Sequence, residues 1–144
     1  MSKQPTEEET ANNLLVEIRV LESTYNELTA RQNLLERALL ESRAALEAIK
    51  GLSEHQPTEV LTQIGGGALL RSQPPSTDQV LVSIGANIVV EKPKDEAVAI
   101  LEERSREFEK TIMSIIGQRN EIAGRLNSDR EIMNNYLAAH QQQE

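Results

Sequence analysis

Two stretches of heptad periodicity, nearly equal in length, flank a short β-like segment that repeats itself, and this layout limits the possible folds more than any single residue does. In the first stretch Leu14, Ile18, Leu21, Tyr25, Leu28, Gln32, Leu35, Leu39, Ser42, Leu46 and Ile49 follow one another in steps of four and three, and only Gln32 and Ser42 are polar. In the second, Val98, Leu101, Ser105, Phe108, Ile112, Ile115, Arg119, Ile122, Leu126, Asp129, Met133, Tyr136 and His140 keep the same rhythm, with Ser105, Arg119, Asp129 and His140 as the exceptions. An apolar stripe with a period of about 3.5 residues is covered most simply by another helix lying along it, so each stretch predicts one member of a coiled coil.

Signals at the ends of these stretches set their bounds. Thr6 followed by Glu9 predicts a capping box at the start of the first helix. Gly51, just after Ile49-Lys50, predicts its stop. Pro93 cannot sit inside a helix, so the second helix is expected to begin with Asp95 as its N-cap and to run to about Leu137. At about 1.5 Å per residue the two helices would measure roughly 63 and 64 Å. Equal helices joined by a local segment fold back on each other. The prediction is an antiparallel intramolecular pair, with Leu14 near the end of the seam opposite Met133 and both chain termini at the end away from the middle segment.

In that segment Val60-Leu61-Thr62-Gln63-Ile64-Gly65-Gly66-Gly67-Ala68-Leu69-Leu70 aligns, at an offset of twenty residues, with Val80-Leu81-Val82-Ser83-Ile84-Gly85-Ala86-Asn87-Ile88-Val89-Val90. Each copy is an apolar run, a turn of small residues and a second apolar run, which predicts a β-hairpin, because Gly and Asn accept the positive φ of tight turns. Pro74-Pro75 separates the copies and disfavours continuous pairing through that point. The chain of 144 residues is read as a single domain: helix 1 over about 7–50, two hairpins over about 58–92 and helix 2 over about 95–138. The class is α+β, mostly α.

Isolated hairpins are marginal in water. Ile88-Val89-Val90 is apolar on both faces of its strand, and four strands on one chain still leave unpaired edges that aggregate unless another chain pairs with them. The hairpins of several chains are therefore expected to join in a shared sheet or barrel. The residues expected to build it are Val60, Leu61, Ile64, Leu69 and Leu70 from the first hairpin and Val80, Leu81, Val82, Ile84, Ile88, Val89 and Val90 from the second.

Composition removes other classes. Aromatic residues make up 2% and Trp is absent, which disfavours a compact globular core and favours elongated helices. The net charge of −8, and an acidic flank at Glu7-Glu8-Glu9 where a basic region would be needed, speak against nucleic acid. There is no Cys, which excludes disulfides and thiolate metal sites and suits a reducing, cytoplasmic location. The N-terminus lacks the pattern of a signal peptide, and no apolar run is long enough to predict a membrane span. His55 and His140 are the only histidines, and neither has ligands or nucleophile partners nearby in sequence. Gly65-Gly66-Gly67 lacks the Lys-Ser/Thr ending and following helix of a P-loop. No catalytic residue, metal or cofactor is expected.

The chain resembles the alpha subunit of archaeal prefoldin over nearly its whole length. The resemblance is most specific in Val80-Leu81-Val82-Ser83-Ile84-Gly85-Ala86-Asn87-Ile88-Val89-Val90-Glu91-Lys92 followed by Asp95-Glu96-Ala97. Two hairpins between the helices match the alpha type of that family rather than the single-hairpin beta type. The resemblance implies an ATP-independent co-chaperone, a hexamer of two alpha and four beta subunits with a double β-barrel body and six projecting coiled coils. It also implies that the coil ends hold unfolded client proteins, which pass to a group II chaperonin.

On that reading the client contacts fall at the chain ends: Leu14, Leu15, Ile18, Met133, Tyr136 and Leu137, exposed by fraying that Asp129 in the seam and the helix-weakening Gly117 and Gly124 make easy. Four of the six also read as ordinary seam residues; Leu15 and Leu137 lie off the seam. Gln32, Ser42 and Arg119 are either register devices or, the preferred reading, polar positions tolerated in a wet two-helix coil. The alternative function is a structural adaptor that oligomerises through its hairpins and uses the coil as a spacer.

Overall fold

The computed structural model describes residues 6–52, 59–73 and 78–141; His55, Pro74-Pro75 and the tail Gln142, Gln143 and Glu144 lie outside the described residues. The elements follow in the order α1 (Glu7–Gly51), β1 (Val60–Gly65), β2 (Ala68–Ser72), β3 (Gln79–Gly85), β4 (Ile88–Pro93) and α2 (Lys94–Gln141). In chain order, two long helices thus flank two hairpins.

The ends of the helices have identifiable causes. The Thr6 backbone N–H donates to Glu9 Oε2 at 3.0 Å and the Glu9 N–H donates to Thr6 Oγ1 at 3.2 Å, a reciprocal capping box. Gly51 is the last residue of α1, but not through a left-handed backbone: the turn closes as the Leu52 N–H donates to the Ile49 carbonyl at 3.2 Å. Asp95 is not the N-cap of α2. The helix begins at Lys94, directly after the strand that ends in Pro93, and Asp95 lies in its first turn, where a carboxylate still favours the helix dipole. The Lys94 N–H is taken by the Asp78 carbonyl at 2.9 Å, and its Nζ donates to the Leu52 carbonyl at 2.7 Å, tying the start of α2 to the end of α1. At its other end α2 continues past Leu137 to Gln141.

The chain divides into two compact units. The terminal unit pairs the first part of α1 with the last part of α2, through Glu36 and from Lys110. Ile18, Leu21 and Leu126 are buried there, and Leu14, Tyr25, Ile122 and Met133 pack against them, so Leu14 and Met133 belong to one cluster. The pairing is antiparallel: Arg119 reaches Gln32, whereas Arg125, further along α2, reaches back to Glu17. Each buried Leu or Ile is worth roughly 1.5–3 kcal/mol, whereas the half-exposed ion pairs Glu17–Arg125 and Glu22–Arg130 are worth about 0–1 kcal/mol each. The apolar seam therefore holds this unit together, and the ion pairs bias its register.

The hairpin unit, Arg37–Glu109, has its own cluster of Leu46, Ile49 and Leu101, against which Ala45, Val80 and Val98 pack. Arg43–Glu109 and Lys50–Glu102 link the two helices here in the same antiparallel sense. Each hairpin forms its own two-stranded sheet. The sequence repeat is also a repeat of conformation. The pairs Leu61↔Arg71, Thr62↔Leu70, Gln63↔Leu69 and Gly65↔Ala68 recur twenty residues on as Leu81↔Glu91, Val82↔Val90, Ser83↔Val89 and Gly85↔Ile88, each with a register shift before the turn. The turns have positive φ at both central residues, 59° and 79° at Gly66 and Gly67 and 50° and 59° at Ala86 and Asn87, as two-residue type I′ turns require. Ala86 is the one residue in these turns that carries a Cβ without a polar side chain to compensate.

Candidate functional site

Two surfaces remain after the two apolar clusters are assigned. The first is on the hairpins. In the second hairpin the face carrying Val80, Val82 and Val90 turns inward: Val82 is buried, and Val80 packs on the helix cluster. Arg104 of α2 donates to the Ser83 carbonyl at 2.7 Å and fastens β3 to the helix. The opposite face is open, with Leu81 70% exposed and Val89 also uncovered; Ile84 and Ile88, nearer the turn on the helix-facing side by strand alternation, are exposed as well. In the first hairpin both faces are open: Val60 is half-buried, and Leu61, Ile64, Leu69 and Leu70 are exposed. The assembly residues expected from the sequence thus fall into two groups. Val60, Val80, Val82 and Val90 are covered at least in part by this chain's own packing. The rest form apolar surface on strands with unpaired edges, which in water favours pairing with another chain.

The second surface lies in the terminal unit. The six residues expected there are brought into the same unit but differ in access. Ile18 is a buried seam residue; Leu14, Met133 and Tyr136 are partly covered; Leu15 and Leu137 are exposed. Asp129 sits at its seam position with Oδ2 buried and, among the described residues, without a hydrogen-bond partner, a local weakness of the seam. Sequence reasoning missed Val16 and Ile132, which are exposed. It also missed a notch of about 330 Å³ lined by Leu14, Ile132, Tyr136, Ala11, Ala139, Thr10, Glu7 and His140. The signal was present: Ile132 is an apolar residue beside the seam, and the alanines at 11 and 139 leave space where larger side chains would fill it. The Tyr136 and His140 rings lie 4.1 Å apart, and His140 Nδ1 donates to the Tyr136 carbonyl at 2.9 Å, so the two rings form one wall.

Arg119 and Gln32, polar seam residues of this unit, are partners, which changes the preferred reading of them as merely tolerated. Arg119 donates through Nη1 to Gln32 Oε1 at 2.7 Å and through Nη2 to the Tyr25 hydroxyl at 2.9 Å, with its guanidinium carbon 4.7 Å from the Tyr25 ring centroid. Ser42 and Ser105, in the other unit, are buried, and Ser105 Oγ donates within its own helix to the Leu101 carbonyl at 2.9 Å. Among the described residues no helix is long and apolar enough to cross a membrane.

Two paired helices that carry two small, largely uncovered hairpins define a coiled-coil subunit of the hairpin-bearing α+β class. The comparisons with known proteins agree. The family described as Prefoldin subunit matches residues 21–138. The chain is 31% identical to a prefoldin subunit alpha of Nitrosopumilus maritimus, covering 94% of this chain and 93% of that protein. It is 35% identical to one of Methanoculleus marisnigri, over 75% of this chain and 77% of that protein, and 32% identical to one of Pyrococcus horikoshii, over 78% of each. The crystal structure of the prefoldin beta subunit from Thermococcus strain KS-1 shares the fold, with a TM-score of 0.61 at 16% identity over 94% of this chain and 96% of that one. The chain belongs to the prefoldin subunit family, and the relatives named here are of the alpha type. That family is one of chaperones rather than enzymes, so the role is of the chaperone type.

Proposed function

We propose that this chain is one subunit of an ATP-independent holdase that grips unfolded proteins at the free ends of its coils and hands them to a group II chaperonin. The observation that carries the reading is the apolar surface of the terminal unit. Leu15, Val16, Ile132 and Leu137 stay exposed on a unit whose seam is already filled. A spacer or adaptor would confine its apolar groups to the seam. Scattered apolar contacts on helices that can open locally suit a binder of many sequences.

The open hairpin faces support assembly in the same reading. Leu61, Ile64, Leu69, Leu70, Leu81, Ile84, Ile88 and Val89 would lie in a barrel shared with single-hairpin beta subunits, two copies of this chain with four of the partner. Native mass spectrometry of this chain mixed with such a partner tests the assembly: a discrete two-plus-four particle is expected. Removing residues 1–16 and 131–144 should then abolish nucleotide-free suppression of aggregation while the particle persists. Full suppression by the truncated particle would rule out the coil ends as the grip. A stable homo-oligomer indifferent to the partner would favour the adaptor.

A further inference from the structure

Resting on the reading of the coil end as a client grip, we infer that the notch of the terminal unit selects segments of unfolded polypeptide in which a large apolar side chain is flanked by lysine or arginine. At about 330 Å³ its volume lies at the small end of the range for ligand sites, roughly 300–1,000 Å³, and its apolar lining suits one large side chain rather than a folded surface. Its immediate lining is acidic. Residues 6–18 and 131–141 contain Glu7, Glu8, Glu9, Glu17 and Glu131 and no lysine or arginine, and although Glu9 caps Thr6, Glu17 pairs with Arg125, and Arg19 and Arg130 adjoin these stretches, Glu7 faces the notch itself. Carboxylates in the first turn of α1 are explained by the helix dipole. The end of α2 is not: a helix C-terminus favours Lys or Arg, yet His140 is the only basic residue in its last turn. Glu7 lines the notch itself, and the Tyr136 ring forms part of its wall, so a cation beside the anchored side chain meets a carboxylate and an aromatic ring together.

The test is fluorescence anisotropy with short labelled peptides that differ only around one Phe: Lys-Phe-Lys, Ser-Phe-Ser and Glu-Phe-Glu in a Gly/Ser background. They are titrated with the full chain in its assembled particle, carrying wild-type, Ala139→Trp or Glu7→Gln/Glu8→Gln copies. Ala139 is exposed, so a Trp there fills the notch without entering the seam, and circular dichroism verifies helicity. At low salt the Lys-flanked peptide is expected to bind roughly tenfold more tightly than the Glu-flanked one, with the gap closing to about twofold near 0.5 M salt. Ala139→Trp should weaken every peptide, and the double Gln variant should weaken only the Lys-flanked one. Equal affinity for the Lys- and Glu-flanked peptides overturns the selection, as does an Ala139→Trp particle that binds like wild type. If no peptide binds while denatured proteins are still kept from aggregating, the notch is wrong and the holdase reading stands; if both fail, both are wrong.

Discussion

Gly117 and Gly124 offer the sharpest test of the link between helix stability and the behaviour of the coil end. Both lie on the exposed side of α2 in the terminal unit, and among the described residues a Cβ at either position would meet nothing within 4 Å beyond its own stretch of helix. Neither has a positive φ. They therefore weaken the helix without a packing or conformational reason. Replacing both by Ala removes about 0.8–1.0 kcal/mol of helix penalty at each site. Two turns separate them and they share no partner, so the effects should add to about 2 kcal/mol. At about 1.4 kcal/mol per factor of ten, the population of the locally opened terminal unit should fall roughly 15- to 25-fold. Hydrogen exchange read by mass spectrometry would report this as slower exchange of α2 amides from Ile112 to Leu137, with those of the hairpin unit, such as Ala97 to Phe108, as an unchanged control. If the grip draws on fraying, nucleotide-free suppression of aggregation should decline in the same variant. A change in protection of less than about twofold would refute the idea that these glycines set the opening equilibrium.

Two further predictions concern other elements. Arg119 and Gln32 should behave as a coupled pair: each single change to Leu removes their shared bond, while Arg119 keeps Tyr25 and Gln32 keeps Glu36, and should cost on the order of 1 kcal/mol. The double change should cost less than the sum of the two, without full recovery because Tyr25 loses Arg119, and urea midpoints that simply add would show that the bond contributes nothing. Ala86→Gly should stabilise the second hairpin by up to about 1 kcal/mol, because Ala at φ 50° is strained and Gly is not. Slower exchange at Leu81 to Val90 checks it, and faster exchange would count against the turn geometry.

The seam was legible in the sequence because burial in a two-helix coil depends on a period the chain carries locally: every heptad position from Leu14 to Ile49 and from Val98 to Tyr136 is buried or half-buried, and only His140, at the end, is exposed. The turns were legible because Gly66-Gly67 and Ala86-Asn87 repeat a local backbone demand, and the capping box because Thr6 and Glu9 are three residues apart. The start of α2 was misjudged by one residue: Pro93 can end a strand and still let the helix begin at once, a choice stabilised by Lys94, whose partners Asp78 and Leu52 are distant in sequence. Three features were decided only by tertiary structure. Arg119 finds Gln32 and Tyr25, some ninety residues away, only once the register of the two helices is set. The two hairpins, alike in pattern, differ in exposure because only the second has a face packed on helices, through Val80 and Arg104. The notch at the coil end combines Ala11, which continues the seam of one helix, with Ile132 and Ala139 of the other, which lie beside its seam. Periodicity and turn chemistry are properties of neighbouring residues and survive in any context. Partner choice, coverage of a sheet face and the shape of a notch depend on how two distant segments align, and a single stretch of sequence does not hold that information.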